Sequence, residues 1–336
     1  MTLFRGLGDD KVLHDWLAED IWPMEKKFVG PEFVRAGMTH AVAEMIRSGT
    51  TCFNNMYFFP DEICGVLERT GMRGAVGQGI MDMASPYGTG PDDFLAKAEP
   101  NLKKYAPDAT TSSQSPWRPI RRIQWYNARI HIHLHETEAE CNDSEQLNRA
   151  SMCCHKSNQK LRPLANFKRL GLLSERLICA HMTQLTDEEI DDVARAGAHQ
   201  QLTDMLGEMK LAALLAKAES RNSTSVSAAE ALQMATLNGA RALGLEHEIG
   251  SIEVGKHADL IALECDSIEM LPMYNAVSHM VYVAGREHVS DVWINGKQVL
   301  RSHELTTVDE AEVKREVREW TEHIRSYHNE VHMKRC

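Results

Sequence analysis

Two apolar rhythms alternate along the first 200 residues. Pro31 sits in a first helical turn, and Phe33, Val34, Met38, Ala41, Val42, Met45 and Ile46 recur at helical spacing until Gly49 stops the pattern. Thr50 to Tyr57 is rich in β-formers, Ile63, Val66 and Leu67 stripe a helix that ends at Gly71, and Gly74 to Ile80 reads as a short strand. The order is βαβ. It returns where Arg176 to Met182 predicts a strand and Thr186-x-x-Glu189 predicts a capping box that opens a helix closed by Gly197. Such alternation implies a parallel sheet, and over this length a barrel leads.

Between these units, Ile130, Ile132 and Leu134 alternate with His131, His133 and His135, so a strand would bury the three aliphatics on one face and turn the histidines to the other. Glu136 then lies at the strand exit, where a barrel keeps its catalytic groups. Two stretches break the pattern. Thr110 to Arg129 offers no clear strand, and Cys141 to Lys160 is polar and aperiodic, so both are expected to be loop. From Ile249 the texture becomes β: Ile249 to Gly255 and Ser290 to Leu300, with its Asn295-Gly296 turn, predict short strands and hairpins. A last helix is expected from the box Thr307-x-x-Glu310, with Val313, Val317, Trp320 and Ile324 packed inward and Glu310, Glu312, Glu316, Glu319 and Glu322 on a solvated face.

With 336 residues, 43% of them hydrophobic, the chain can bury one large core plus a smaller part. The expected division is residues 1–245 as a barrel, 246–304 as a small β part and 305–336 as a C-terminal helix. A net charge of -11 gives nucleic acid no electrostatic reason to bind. No apolar run approaches the ~20 residues that span a bilayer, and Met1 to Asp10 has no signal-peptide core. A cytoplasmic protein without a membrane partner is expected, and eight cysteines without a CxxC pair or framework spacing fit free thiols.

A histidine at a barrel strand end suits a catalytic Zn²⁺, which takes neutral imidazoles or carboxylates on rigid elements and keeps one position for water. His133 is the leading ligand candidate, weighed against a hydrogen-bonded core histidine, and His181 offers a second imidazole at another strand end. Cys153, Cys154 and His155 lack the usual spacer and read as an irregular loop. His328-Asn329-Glu330-Val331-His332 places its Glu one position off HExxH and reads as a solvated helix end.

Seven ordered blocks carry a family resemblance: Leu3 to Gly6, Ile21 to Glu25, Gly49 to Tyr57, His133 to Thr137, Cys179 to His181, Met205 to Lys210 and Gly255 to Leu260. Together they resemble the amidohydrolase superfamily, most closely its 5-methylthioadenosine/S-adenosylhomocysteine deaminase branch. The resemblance implies a distorted (β/α)8 barrel with a small β-sandwich built from both chain ends, and one zinc per chain that activates water to attack C6 of an adenine ring. It assigns His133 as a metal ligand, Glu136 as the group that protonates the ring nitrogen, His181 as the group that orients the nucleophile, and Glu25 as the partner of the ribose hydroxyls. Chlorohydrolases and aminohydrolases of s-triazines resemble the same blocks.

The chain also departs from that pattern. The family's His-x-His precedes the block that here starts at Leu3, its strand-eight Asp has no counterpart before Met205, and Ser113 to Trp117 replaces a substrate-binding His segment. Asp204 abuts the helix and is not taken as a ligand. The expected α/β fold is therefore an incomplete, distorted (β/α)8 barrel with roughly five of eight strands. Open edges expose backbone groups, so cover by another chain, as in a homo-oligomer, is expected. Two functions compete: a metal-dependent aminohydrolase of an adenosine-type nucleoside, and a non-catalytic remnant that binds a nucleoside or a full-length relative.

Overall fold

The computed structural model describes residues 1–105, 110–113, 129–147, 161–196, 199–200 and 205–333. The helix Pro31–Arg47 forms as its periodicity predicts and buries Phe33, Val34, Met38, Val42 and Ile46. Gly49 ends it at φ 80°, and a side chain there would press on Ile261 and Val289 at 3.2 and 3.3 Å. Strand β1 (Cys52–Asn55), the helix Pro60–Thr70 and strand β2 (Arg73–Val76) complete the first βαβ unit, with β1 and β2 parallel.

Gly77 alone separates β2 from β3 (Gln78–Ile80), which heads a five-stranded parallel sheet. Its order continues through β4 (Thr110–Ser113), β5 (Arg129–Leu134), β6 (Leu177–His181) and β7 (His199–Gln200). Among the described residues no ladder joins β7 back to β1. Helices Pro91–Tyr105 and Pro163–Arg169 cover one face, where Phe94, Ala98, Leu164 and Phe167 meet Ile130, Ile132, Leu134, Leu177 and Cys179. Each large aliphatic or aromatic side chain buried there contributes roughly 1.5–3 kcal/mol relative to exposure.

The sheet curves. Strands β1 and β5 are separated by β2/β3 and β4, which in a flat sheet would hold them roughly 14 Å apart at ~4.8 Å per step. Yet the Asn54 amide nitrogen on β1 donates to His131 Nδ1 on β5 at 3.0 Å. Only a sheet rolled around its inner face brings those side chains together, which is the geometry of a barrel wall.

A second, antiparallel sheet runs β11 (Glu304–Leu305), β10 (Lys297–Arg301), β9 (Val289–Ile294), β8 (Leu260–Leu263). Asn295 and Gly296 make the two-residue β9–β10 turn at φ 52° and 76°, as expected of Asn-Gly. Val289, Val292, Ile294 and Leu300 share one core with Phe4, Met24, Phe33 and Val42. The Asp259 carboxylate, 3% exposed, binds Arg73 Nε and Nη2 at 2.8 and 3.2 Å and accepts the Asn295 N–H at 2.7 Å. That Asp thus ties the antiparallel sheet to β2.

Four expectations are corrected. Thr110–Ser113 is a strand paired on both sides, β3 and β5, so part of the expected loop is sheet. Residues 141–147 belong to a helix, Glu138–Leu147, whose amphipathicity is weak because its sequence is mostly polar. Ile249 to Gly255 is not strand: Gly250 and Gly255 adopt φ 90° and 102°, and Ile252 and Val254 are exposed. The C-terminal helix Glu310–Met333 is capped by Asp309, whose Oδ1 accepts the N–H groups of Ala311 and Glu312, and not by Thr307.

Candidate active site

The site begins with parallel register. Leu134 pairs with His181 and His133 with Ala180, so both strands end at one level. Residue parity would send Leu134 and His181 to the same helix-covered face. His181 avoids this by adopting φ 74°, followed by Met182 at 55°, and the imidazole swings toward His133. Left-handed backbone at two successive non-glycine residues is uncommon and costly, and such strain concentrates at functional sites.

Three imidazoles line up across the two strands. The His133 and His181 rings stack with centroids 5.1 Å apart, and His131 lies 6.4 Å from His133. His181 Nε2 is 3.4 Å from Glu136 Oε1. Burial, reinforced by His133 and His181, lowers the His131 pKa to about 4. Desolvation and then His181 lower that of His133 to about 4. His133 keeps an exposed edge at the strand end. Burial raises the Glu136 pKa, Glu140 adds to the rise, and His181 opposes it. The cluster favours neutral rings at His131 and His133 near a carboxyl, Glu136, that holds its proton above the ordinary range, a grouping suited to proton transfer.

His135 departs from the predicted alternation. Strand β5 ends at Leu134, His135 takes φ 55°, and its ring is fully buried on the helix side. Its Nε2 accepts the Leu164 N–H at 3.0 Å, while Nδ1 lies 3.3 Å from the Gln184 carbonyl oxygen, Cys141 Sγ and Arg162 Nη2. Arg162 in turn grips Glu189 through Nε at 2.9 Å and Nη2 at 3.0 Å. This is a structural histidine. Glu189 also completes the predicted capping box with Thr186, accepting its N–H at 2.9 Å.

Glu25 comes from another direction, the helix Trp22–Phe28, and accepts a hydrogen bond from the Tyr57 hydroxyl at 2.9 Å. Burial raises its pKa, with Tyr57 opposing, and burial beside Glu25 pushes the Tyr57 phenol well above its ordinary value. Tyr57 follows β1 by two residues, and Asn54 on β1 holds His131. The wall from β1 to β6 thus joins the Glu25–Tyr57 pair to the His131–His133–His181 row.

Sequence reasoning gave no role to Tyr57, Asn54, Glu140 or Thr183. Glu140 left a signal of its own, because Thr137-x-x-Glu140 is a capping-box pattern, while Asn54 and Tyr57 fall within the resemblance block Gly49 to Tyr57. His328, expected to be solvated, instead reaches the buried Asp20 at 3.3 Å, which Lys11 also pairs at 2.7 Å. Cys153, Cys154, His155 and Asp204 lie outside the described residues. Among the described residues, no group of three or more His, Cys, Asp or Glu is arranged to hold a metal ion. His133 and His181 are donors of the right kind, but these residues by themselves do not fit a zinc site, which takes three protein ligands and a water.

The sequence matches the amidohydrolase family over residues 1–202 and 192–299. It is 33% identical to a 5-methylthioadenosine/S-adenosylhomocysteine deaminase from Teredinibacter turnerae, an alignment spanning 96% of this chain and 82% of the relative. The fold superposes with a TM-score of 0.89 on a crystal structure of an adenosine deaminase from Xanthomonas campestris with bound zinc, at 36% identity over 97% of this chain and 83% of that one. Atrazine chlorohydrolase TrzN from Arthrobacter aurescens, complexed with zinc, gives a TM-score of 0.80 at 17% identity over 95% and 83%, a likeness of fold. No helix among the described residues is long and apolar enough to cross a membrane. With its parallel barrel-type wall and its paired strand-end histidines, the chain belongs to the amidohydrolase family and is a hydrolytic enzyme acting on C–N bonds.

Proposed function

We propose that this protein is an aminohydrolase that removes the exocyclic amine of an adenosine-type nucleoside, with S-adenosylhomocysteine or 5-methylthioadenosine as its substrate. The observation that carries the reading is the His133–His181–Glu136 cluster at adjacent strand ends, with His181 Nε2 and Glu136 Oε1 3.4 Å apart. The names of the relatives, and identities above 30% along nearly the whole chain, favour a nucleoside over an s-triazine.

In this reading the raised pKa of Glu136 lets it carry a proton to a ring nitrogen of the purine. The ring carbon then becomes electrophilic enough for water to add. His181 orients that water, Glu136 takes its proton and passes it to the amine, and the C–N bond breaks to release ammonia as the new hydroxyl on the ring carbon becomes a carbonyl and returns its proton to Glu136. Glu25, steadied by Tyr57, hydrogen-bonds the sugar hydroxyls.

Zinc, one per chain, enters the proposal through relatives that bind it. The described residues do not fit such a site by themselves, and protein groups and water carry each step of this reading. His133 is the residue assigned to it.

The test is ammonia release by the purified chain from S-adenosylhomocysteine, 5-methylthioadenosine, adenosine and an amino-s-triazine, with bound metal measured on the same sample. Turnover of the nucleosides supports the reading. Turnover of the triazine alone, or of none, overturns it; no metal and no ammonia would mark a binding protein of amidohydrolase descent.

A further inference from the structure

We propose that Glu140 is a positioning residue for Glu136, working with Thr183 to hold the acid's peptide at the exit of β5. The proposal rests on the reading of Glu136 as the proton donor. The Glu140 carboxylate accepts two successive backbone N–H groups, that of His135 at Oε1, 3.1 Å, and that of Glu136 at Oε2, 2.7 Å. Its own N–H donates to Thr137 Oγ1 at 3.1 Å.

This exceeds helix capping. In a capping box the acidic side chain returns to the N–H of the capping residue itself, here Thr137. Glu140 reaches one and two residues further back, into the turn that carries the acid. The turn needs such a partner, because His135 at φ 55° breaks the strand ladder and leaves those N–H groups without strand partners.

The other side of the same peptide is held from the turn that follows β6. Thr183 Oγ1 lies 2.8 Å from the Glu136 carbonyl oxygen and 3.1 Å from that of His135, and its N–H donates to the His135 carbonyl at 3.0 Å. Glu136 therefore has its N–H fixed by one side chain and its C=O by another, from elements on opposite sides of the turn. That leaves the side-chain torsions as its main freedom, and they bring the carboxyl toward His181. A carboxylate suits the Glu140 position because two N–H donors need two acceptor oxygens; glutamine retains one.

The experiment compares wild type with Glu140→Ala, Glu140→Gln and Thr183→Val. It reads kcat and KM for S-adenosylhomocysteine, and residue-resolved amide exchange at 135 and 136. Glu140→Ala is expected to lower kcat on the order of 10- to 100-fold with KM nearly unchanged, since small misplacement of a reacting group is that costly. Glu140→Gln should fall between, and Thr183→Val should lower kcat in the same direction. Amide exchange at 135 and 136 should speed at least about ten-fold in Glu140→Ala while β6 keeps its protection, the mark of local rather than global opening.

Unchanged exchange at 135 and 136, an unchanged kcat, or parallel losses in kcat and folded fraction would overturn the proposal. If Glu140→Ala does not fold, Glu140→Gln carries the same comparison. If wild type releases no ammonia, the deaminase reading fails and the exchange arm still decides whether Glu140 holds the turn.

Discussion

The Asn54 amide nitrogen donates to His131 Nδ1 at 3.0 Å across the interior of the sheet, joining two strands that are not neighbours. It also sets the tautomer: with Nδ1 accepting, a neutral His131 carries its proton on Nε2. The contact therefore closes the wall and orients the innermost of three stacked rings.

Replacing Asn54 by Leu should leave a buried imidazole nitrogen unpaired and cost about 1–3 kcal/mol. Urea unfolding checks this. A midpoint equal to that of wild type would mean the amide does not hold the wall together.

Arg162→Met should be at least as damaging. It strips both guanidinium contacts from Glu189, which is only 8% exposed, and removes a neighbour of His135. Leaving such a carboxylate unpaired is expected to cost about 2–4 kcal/mol, discounted from the fully buried case because Arg162 is partly exposed. A double-mutant cycle with Glu189→Gln should recover most of the loss; additive losses would show that the pair is not coupled.

The pH dependence of Glu25 has a definite sign. Burial raises its pKa above the ordinary 4.5, so the folded chain binds this proton more readily than the unfolded chain does. Ionised Glu25 therefore costs stability at neutral pH, and the cost fades as pH falls toward 4.5 and below. Glu25→Gln should raise Tm at pH 7.5 and give no advantage near pH 4, while raising KM for the nucleoside about ten-fold through loss of a charged hydrogen bond. A lower Tm for the variant at pH 7.5 would contradict the burial argument.

Much of this wall was legible in the chain. Phe33 to Ile46 and Ile130 to Leu134 carry clean periods, 3.6 and 2, because each buries one face against a single neighbour layer. The Asn295-Gly296 hairpin was legible because Asn-Gly adopts two left-handed residues at low cost. Strand β4 was not: Thr110 to Ser113 has no apolar alternation, and its place is set by partners β3 and β5. Ile252 and Val254 misled in the opposite sense, as β-formers beside glycines that turn the chain away from any sheet.

At the site, the identities of His133, Glu136 and His181 could be read, but their convergence could not. It depends on positive φ at His135, His181 and Met182, which no periodicity encodes, and on Asn54, 77 positions from His131. The two-faced reading of His131, His133 and His135 failed at its last member for the same reason. One left-handed residue moved His135 from the inner face to the helix side.

The measurement that tests the central claim most directly is ammonia release from S-adenosylhomocysteine by wild type and Glu136→Gln in parallel, at equal folded fraction. The account predicts turnover by wild type and a loss of at least about 10²-fold in kcat for the variant, as expected when a proton-transferring group is removed. Equal turnover by both proteins would contradict the role of Glu136 and the site built around it.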